Sequence, residues 1–256
     1  MAGDLEILRA GVLGSIPHGF LTRKGGVSTG EVAGLQFGIG ADDDPASVAE
    51  NRRRAVAAIL PESALVMPHQ VHSPDAVVVT DPWPQDARPQ ADAVVTDRPG
   101  LLLGVVTADC APILLADHEA GVVAAAHAGW RGAQAGVLES TIEAMRSLGA
   151  QIDRIAAAIG PCIAQASYEV DARFRTHFTA ADERFFAPGR SGHWQFDLEA
   201  YVEARLMISG VRRIERLGRD TYTDPERFYS FRRATHLGEA NYGRQASVIG
   251  LANPVA

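Results

Sequence analysis

Apolar positions fall into two kinds of pattern along this chain. Short runs rich in valine, isoleucine, leucine and alanine read as strands over 64–67, 76–80, 91–96, 101–106, 113–116, 122–126, 155–159, 214–217 and 246–251. Longer stretches with apolar residues three and four apart read as helices over 45–60, 135–148, 168–178 and 197–209. Asp44 and Pro45 supply an N-cap and a first-turn proline for the first helix, and Pro61 ends it. Some strands are spaced for hairpins and others are separated by helices. That mixture predicts an α+β (mixed α/β) fold of layered mixed β-sheets flanked by helices, rather than a regular doubly wound sheet. The Pro-rich stretch 81–89 and the Gly/Ser-bearing stretch 187–192 read as loops, because element signals resume at once on either side. With no internal repeat, residues 1–256 are expected to form a single domain.

Composition narrows the class. A hydrophobic content of 46% is enough to build a sizeable core, and a charged content of 21% without polar low-complexity tracts argues against disorder. A net charge of -7 opposes binding to phosphate backbones, so no nucleic-acid partner is expected. Local basic groups at Arg23-Lys24, Arg52-Arg53-Arg54, Arg131, Arg212-Arg213 and Arg232-Arg233 still suit a small anionic ligand. No apolar run reaches the ~18 to 20 residues of a membrane span. The start, Met1 to Glu6, lacks a basic region followed by an apolar core, so a cytoplasmic location is the expectation. Two cysteines, Cys110 and Cys162, are too few for a disulfide framework and are read as thiols.

Three places carry candidate chemistry. In Val105 to Leu115 an Ala-Asp-Cys step followed by Pro112 interrupts two apolar runs; Asp109 there is either an internal hydrogen-bonding group or part of a site, since an unpaired buried charge is costly. His127 ends a run of small apolar residues before a glycine-flanked turn. A helix starting near Ala133 would point its N-terminus, with Arg131, toward the same end. Upstream, His69 and His72 on an extended segment face opposite sides, so at most one reaches a shared pocket. Two histidines and a cysteine at long intervals make an open three-ligand metal site, whereas structural zinc takes four protein ligands. Zinc suits the mixed thiolate and imidazole set, and copper competes for the same site.

Six ordered motifs then resemble one family. They are His18-Gly19-Phe20-Leu21-Thr22-Arg23-Lys24-Gly25-Gly26-Val27-Ser28, His69-Gln70-Val71-His72-Ser73, Thr107-Ala108-Asp109-Cys110-Ala111-Pro112, His127-Ala128-Gly129-Trp130-Arg131-Gly132, Ile159-Gly160-Pro161-Cys162-Ile163 with Tyr168-Glu169-Val170, and Phe228-Tyr229-Ser230-Phe231-Arg232-Arg233. The chain resembles the YfiH or polyphenol-oxidase-like family, also described as laccase-domain purine nucleoside phosphorylases. The resemblance implies one zinc on His72, Cys110 and His127, a layered fold shared with a toxin deamidase domain, and nucleoside and phosphate as partners. It also implies phosphorolysis of adenosine, inosine and methylthioadenosine, with hydrolytic deamination of adenosine. Arg23, Lys24, Arg131 and Arg232 are the candidate phosphate-binding residues, and Gln70 a candidate for the base or ribose. Asp109 is the candidate acid/base, because the His-x-Glu and Pro-Cys-x-x-Cys motifs of zinc nucleobase deaminases are absent.

Two other enzymes fit some of these residues. A copper-dependent polyphenol oxidase with several copper centres needs about ten imidazoles, often from His-x-His pairs, against eight histidines and no such pair here. A hydrolase of a cell-wall precursor would use Cys110 as the nucleophile, activated by His127.

Overall fold

The computed structural model describes residues 4–253; Met1, Ala2 and Gly3, which enter the reading of the N-terminus, lie outside them. Each run read as a strand from its apolar pattern is one, with shifts of a residue or two at the ends. A five-stranded sheet has the order β1 (Ile7–Leu8), β2 (His18–Leu21), β14 (Gln245–Gly250), β6 (Leu101–Thr107), β3 (Ala64–Val66). A six-stranded sheet has the order β13 (Arg213–Arg216), β9 (Ala156–Ile159), β7 (Ala111–Asp117), β8 (Val122–Ala128), β5 (Ala93–Thr96), β4 (Ala76–Val78). Both sheets mix parallel and antiparallel pairs, as in the parallel β3–β6 pairing beside the antiparallel β14–β6 pairing.

Side-chain alternation divides these strands between three cores. Phe20, Leu103, Val105 and Ile249 of the first sheet meet Val94, Leu114, Val123 and Ala125 of the second. Their neighbours face outward: Val95, Ile113, Leu115 and Ala124 pack under two helices, α3 (Val137–Ser147) and α5 (Leu198–Ile208). Leu102, Ala246 and Val248 pack under α1 (Pro45–Ile59). Helix, sheet, sheet and helix are therefore stacked in one mixed α+β domain, and strands buried on both faces read as continuous apolar runs instead of alternating ones. In α3 the buried positions Leu138, Thr141, Ile142 and Met145 keep the three-and-four spacing that marked the helix. Asp44 caps α1 by accepting the N–H groups of Ala46 and Ser47.

Two expectations need correction. Residues 168–178 are not one helix: Glu169–Asp171 (β10) pairs with β12 (His193–Phe196), and the Asp171 carboxylate then caps the four-residue α4 (Ala172–Arg175). The apolar spacing there belongs to aromatics, with Phe174 and Phe178 packing on Phe196 at centroid distances of 5.3 and 4.9 Å. The stretch 187–192 is not wholly loop, because Phe186–Pro188 forms β11, the third strand of the β10-β12-β11 sheet. The helix expected over 135–148 is α3, and a short α2 (Trp130–Ala135) precedes it, broken from it where Gly136 takes φ 109°. The last helix, α6 (Phe231–Leu237), carried no clear periodic signal. No helix among the described residues is long and apolar enough to cross a membrane.

Twice the chain crosses between the large sheets at the same rim, from β3 to β4 and from β6 to β7. The register places β8's last residues beside β7's first, Pro112 opposite His127, and Gln245 opposite Thr107 at the end of β6. That rim is where the chemistry collects.

Candidate metal centre and its two chambers

Cys110 stands at the β6 to β7 crossover, on a turn whose preceding residue, Asp109, adopts φ 84°. Left-handed backbone is tolerated by aspartate better than by most residues, and here it is over-determined. The Asp109 carboxylate accepts the Thr221 hydroxyl at 2.6 Å and the Arg232 N–H at 2.7 Å, and its carbonyl accepts the Ile163 N–H at 2.9 Å. Asp109 is thereby tied to the frame, holding the Cys110 turn against the start of α6. Burial, only partly offset by these bonds, raises its carboxyl above the ordinary value.

His127 ends β8 and is 3% exposed. Its Nδ1 lies 2.7 Å from Oδ1 of Asp92, a fully buried carboxylate that accepts Nδ1–H and so leaves Nε2 as the free donor atom. The other Asp92 oxygen accepts the N–H groups of Val71 at 3.1 Å and Ser73 at 2.6 Å, which flank His72. One carboxylate thus orients one histidine and pins the loop of the other. His72 takes φ 61°, which ends the alternation expected of an extended segment. His72 joins Cys110 and His127, while His69 lines a neighbouring chamber without joining them.

The donor atoms of His72, Cys110 and His127 all lie within 4.8 Å of one another, and Cys110 Sγ is 3.8 Å from His72 Nε2. Tetrahedral zinc with one sulfur and two nitrogens would separate its donors by roughly 3.5 Å, so small shifts suffice. Gly129 makes the approach feasible: a Cβ there would stand 2.8 Å from His72 Cδ2 and 2.9 Å from Cys110 Sγ. Donor chemistry, spacing and this bare backbone all fit a divalent cation. Burial alone would push the Cys110 thiol up, but the His127 charge and bonds from both histidines draw it down to about 6. Burial alone would lower His127, but Cys110 and Asp92 raise it to about 9. The cluster favours a thiolate, the form a metal needs.

Two chambers share this cluster in their common wall, at His72, Ala108 and Cys110. The first, about 550 Å³, is walled by Trp130, Tyr168, Phe174 and Phe231, with Arg131 and Arg232 beside them. Arg131 stacks over Trp130 at 4.8 Å, and Arg232 reaches over Tyr168 at 5.3 Å while donating to the Glu169 carbonyl. The second, about 430 Å³, is lined by Gln70, Arg88, Thr107, Tyr242 and Arg244 among others. The Gln70 amide is fixed there by reciprocal 2.8 Å bonds to the Val106 backbone.

Arg23 and Lys24 line neither chamber. Arg23 donates to the Ala33 and Pro225 carbonyls over the Tyr229 ring, and Lys24 pairs with Glu6 at 3.3 Å. Sequence reasoning gave no role to Asp92, Arg88 or Arg244. The signal for Asp92 was a lone acid inside the apolar run 91–96, the same kind of signal that drew attention to Asp109.

Residues 17–252 match the family model described as multi-copper polyphenol oxidoreductase laccase. A Deinococcus radiodurans protein named purine nucleoside phosphorylase is 42% identical over 254 residues, which is 98% of this chain and 94% of that one. A Mycobacterium tuberculosis protein of the same name is 41% identical over 229 residues, 89% of each chain. Among solved structures, a Neisseria meningitidis protein of the DUF152 family aligns with a TM-score of 0.87 at 30% identity, over 98% of this chain and all of that one. YlmD from Geobacillus stearothermophilus aligns with a TM-score of 0.87 at 28% identity, over 99% and 98%. The chain belongs to the YfiH-like, laccase-domain family.

Proposed function

We propose that this protein is a zinc-dependent purine nucleoside phosphorylase acting on adenosine, inosine and methylthioadenosine, with a second activity that deaminates adenosine. The observation that carries the reading is a three-donor metal cluster opening on an aromatic-walled chamber of about 550 Å³, in a chain whose relatives bear the phosphorylase name. In the reaction a phosphate oxygen forms a bond to C1′ as the C1′–N9 bond breaks. The electron pair of that bond passes to N9, which takes a proton from the attacking phosphate or from water, leaving the pentose 1-phosphate (its 5-methylthio form from methylthioadenosine) and the free purine.

His72, Cys110 and His127 would hold the ion, which when bound supplies a Lewis acid to the site. The Asp92 carboxylate keeps His127 in the tautomer that offers Nε2. Trp130, Phe174 and Tyr168 offer ring faces to a planar base, and closing over it they would exclude water from the ribosyl centre. Arg131 and Arg232 bring positive charge to the same chamber. Asp109 acts here as a positioning residue, through Cys110 and α6, and Arg23 and Lys24 belong to the frame. A single ion is favoured over multicopper chemistry because His72, Cys110 and His127 are the one such donor group among the described residues.

The test is to incubate zinc-loaded protein with each nucleoside, with and without phosphate, and to identify products. Free base and a pentose 1-phosphate should form only with phosphate, and Cys110→Ala should lose both the bound zinc and this activity. Inosine from adenosine without phosphate would report the deaminase activity that the same reading includes. If no base is released with phosphate present, the phosphorylase reading fails. Metal analysis of protein purified without added metal should return about one zinc per chain; copper in its place would overturn the choice of ion.

A further inference from the structure

The second chamber carries features that the nucleoside reading leaves unused. Its lining includes two guanidinium groups, Arg88 and Arg244, and no carboxylate. Arg88 donates only to the backbone carbonyls of Gln85 and Pro68, at 2.9 and 3.4 Å. Arg244 donates to the Tyr242 hydroxyl at 2.9 Å and lies over that ring at 4.5 Å. Thr107, 2% exposed, lines the same chamber with a hydroxyl oxygen that has no hydrogen-bond partner. A buried hydroxyl left unpaired costs free energy, and two guanidiniums facing one hollow without an acid repel each other. Both conditions are relieved by one ligand, an oxyanion that accepts from all three.

The backbone is shaped to admit Arg244. A Cβ on Gly38 would stand 2.9 Å from its Nη1 and 3.0 Å from its Cδ, so glycine leaves the lane through which the guanidinium reaches the chamber. A third arginine, Arg52, close enough to Arg88 for its charge to act on it, has a buried Nε without a partner. Burial, then the nearby charge of Arg88, lowers Arg52 to about 10. Positive charge is concentrated here, without acids in the lining, in a chain whose net charge is -7.

We propose that this chamber is the inorganic phosphate subsite, with Arg88, Arg244 and Thr107 as its ligands, on the opposite side of the metal cluster from the aromatic chamber that takes the nucleoside. The assignment rests on the phosphorylase reading for the identity of the anion. Phosphate in one chamber and a nucleoside in the other meet only at the shared wall of His72, Ala108 and Cys110, where the oxygen to C1′ bond would form and the C1′–N9 bond break. Arg131 and Arg232 then serve the nucleoside side and not the phosphate.

The test uses zinc-loaded full-length protein, with inorganic phosphate as the titrant in calorimetry and as the varied substrate in kinetics. Arg88→Gln and Arg244→Gln should each raise the Kd and the KM for phosphate about tenfold or more, the loss expected for one charge-assisted contact. The nucleoside KM should move by no more than about twofold, within the scatter of contacts not made. Arg244→Lys, which keeps the charge without the fork, should fall between and guards against misfolding of the glutamine variants. Unchanged phosphate binding in both glutamine variants, or a rise confined to Arg131→Gln and Arg232→Gln, overturns the proposal. If phosphate binds in a manner dependent on Arg88 and Arg244 but no nucleoside releases its base, the anion subsite stands and the phosphorylase reading falls.

Discussion

At the far end of β7 the fully buried Asp117 carboxylate accepts the N–H groups of Glu119, Ala120 and Gln151 at 2.8 to 3.1 Å and pairs with Arg154 at 3.2 Å. At the near end, Asp109 and Asp92 are anchored in much the same way, each by short bonds to hydroxyl, amide or imidazole groups. What surrounds them differs. Around Asp117 the donors belong to the frame: the Glu119 and Ala120 bonds close the turn after β7, and the Gln151 and Arg154 bonds tie in the segment after α3. Around Asp109 and Asp92 the bonded groups lead to side chains with bonding capacity left over: the Cys110 sulfur, the second nitrogen of each histidine and, nearby, the Thr107 hydroxyl. A protein keeps such groups at a cost in stability where a ligand will complete them. The two ends of one strand thus separate buried charge used for folding from buried charge used to present chemistry.

The severest way to break this contrast is Asp92→Ala. It would leave the His127 Nδ1–H and the N–H groups of Val71 and Ser73 without their acceptor. Metal affinity should fall about 10- to 100-fold, as for other lost carboxylate partners of ligating histidines, with a loss of about 3 kcal/mol in stability. Chelator competition and urea unfolding measure the two effects, and an unchanged metal Kd would detach Asp92 from the site. Gly129→Ala sharpens the contrast by touching two of the candidate ligands alone. Its methyl would stand against His72 and Cys110, displacing side-chain tips and not the backbone. Turnover should fall by up to about 100-fold, the scale for a misplacement of roughly 1 Å. The shift in unfolding free energy should stay below about 1 kcal/mol.

Asp117→Asn tests the opposite end. It should destabilise the fold by about 2 kcal/mol while leaving the metal Kd and turnover at their wild-type values. Burial alone would raise this carboxyl, but the Gln151 and Ala120 N–H groups and Arg154 bring it below the ordinary 3.8. A depressed folded-state value means the unfolded chain takes up the proton first. The stabilisation is therefore present in full above 3.8 and fades as pH falls through the folded value. Wild type and Asp117→Asn should converge in denaturant midpoint in acid and diverge on return to neutral pH. A gap that persisted unchanged below that range would mean the charge of Asp117 is not what stabilises the turn.

Much of the site was legible because its candidate ligands interrupt apolar runs. Cys110 and His127 stand where buried strands stop, and His72 sits in a motif flanked by Met67-Pro68 and Ser73. Asp92 was overlooked although it too is an acid entering an apolar run, and a lone carboxylate before a doubly buried strand is worth the same scrutiny as one beside a cysteine. Strand positions could be read locally, since burial on both faces leaves a plain apolar signature. Sheet order could not, because β14 joins β2 and β6 from the far end of the chain. β1 is too short for periodicity to register, and the aromatics of 168–178 mimicked a helix while filling one cluster. Arg88 had no local mark, lying in a Pro-rich stretch whose place beside the cluster is set only by long-range pairing such as His69 with Gln90.

Arg23 gives the smallest effect and the cleanest separation of motif from site. It lies in the segment His18 to Ser28 that carries the family resemblance, and its guanidinium is of the kind that binds phosphate. The structure puts it over the Tyr229 ring at 4.4 Å with its donors on the Ala33 and Pro225 carbonyls, bracing the glycine-rich loop against the segment before α6. Arg23→Gln should therefore lower stability by about 1 kcal/mol, the combined scale of an exposed cation–π contact and neutral-acceptor hydrogen bonds. The KM for phosphate should stay where it is in wild type, in contrast to Arg88→Gln and Arg244→Gln. A tenfold rise in that KM for Arg23→Gln, at unchanged nucleoside KM, would move the phosphate to the other side of Tyr229 and dissolve the division between frame arginines and chamber arginines.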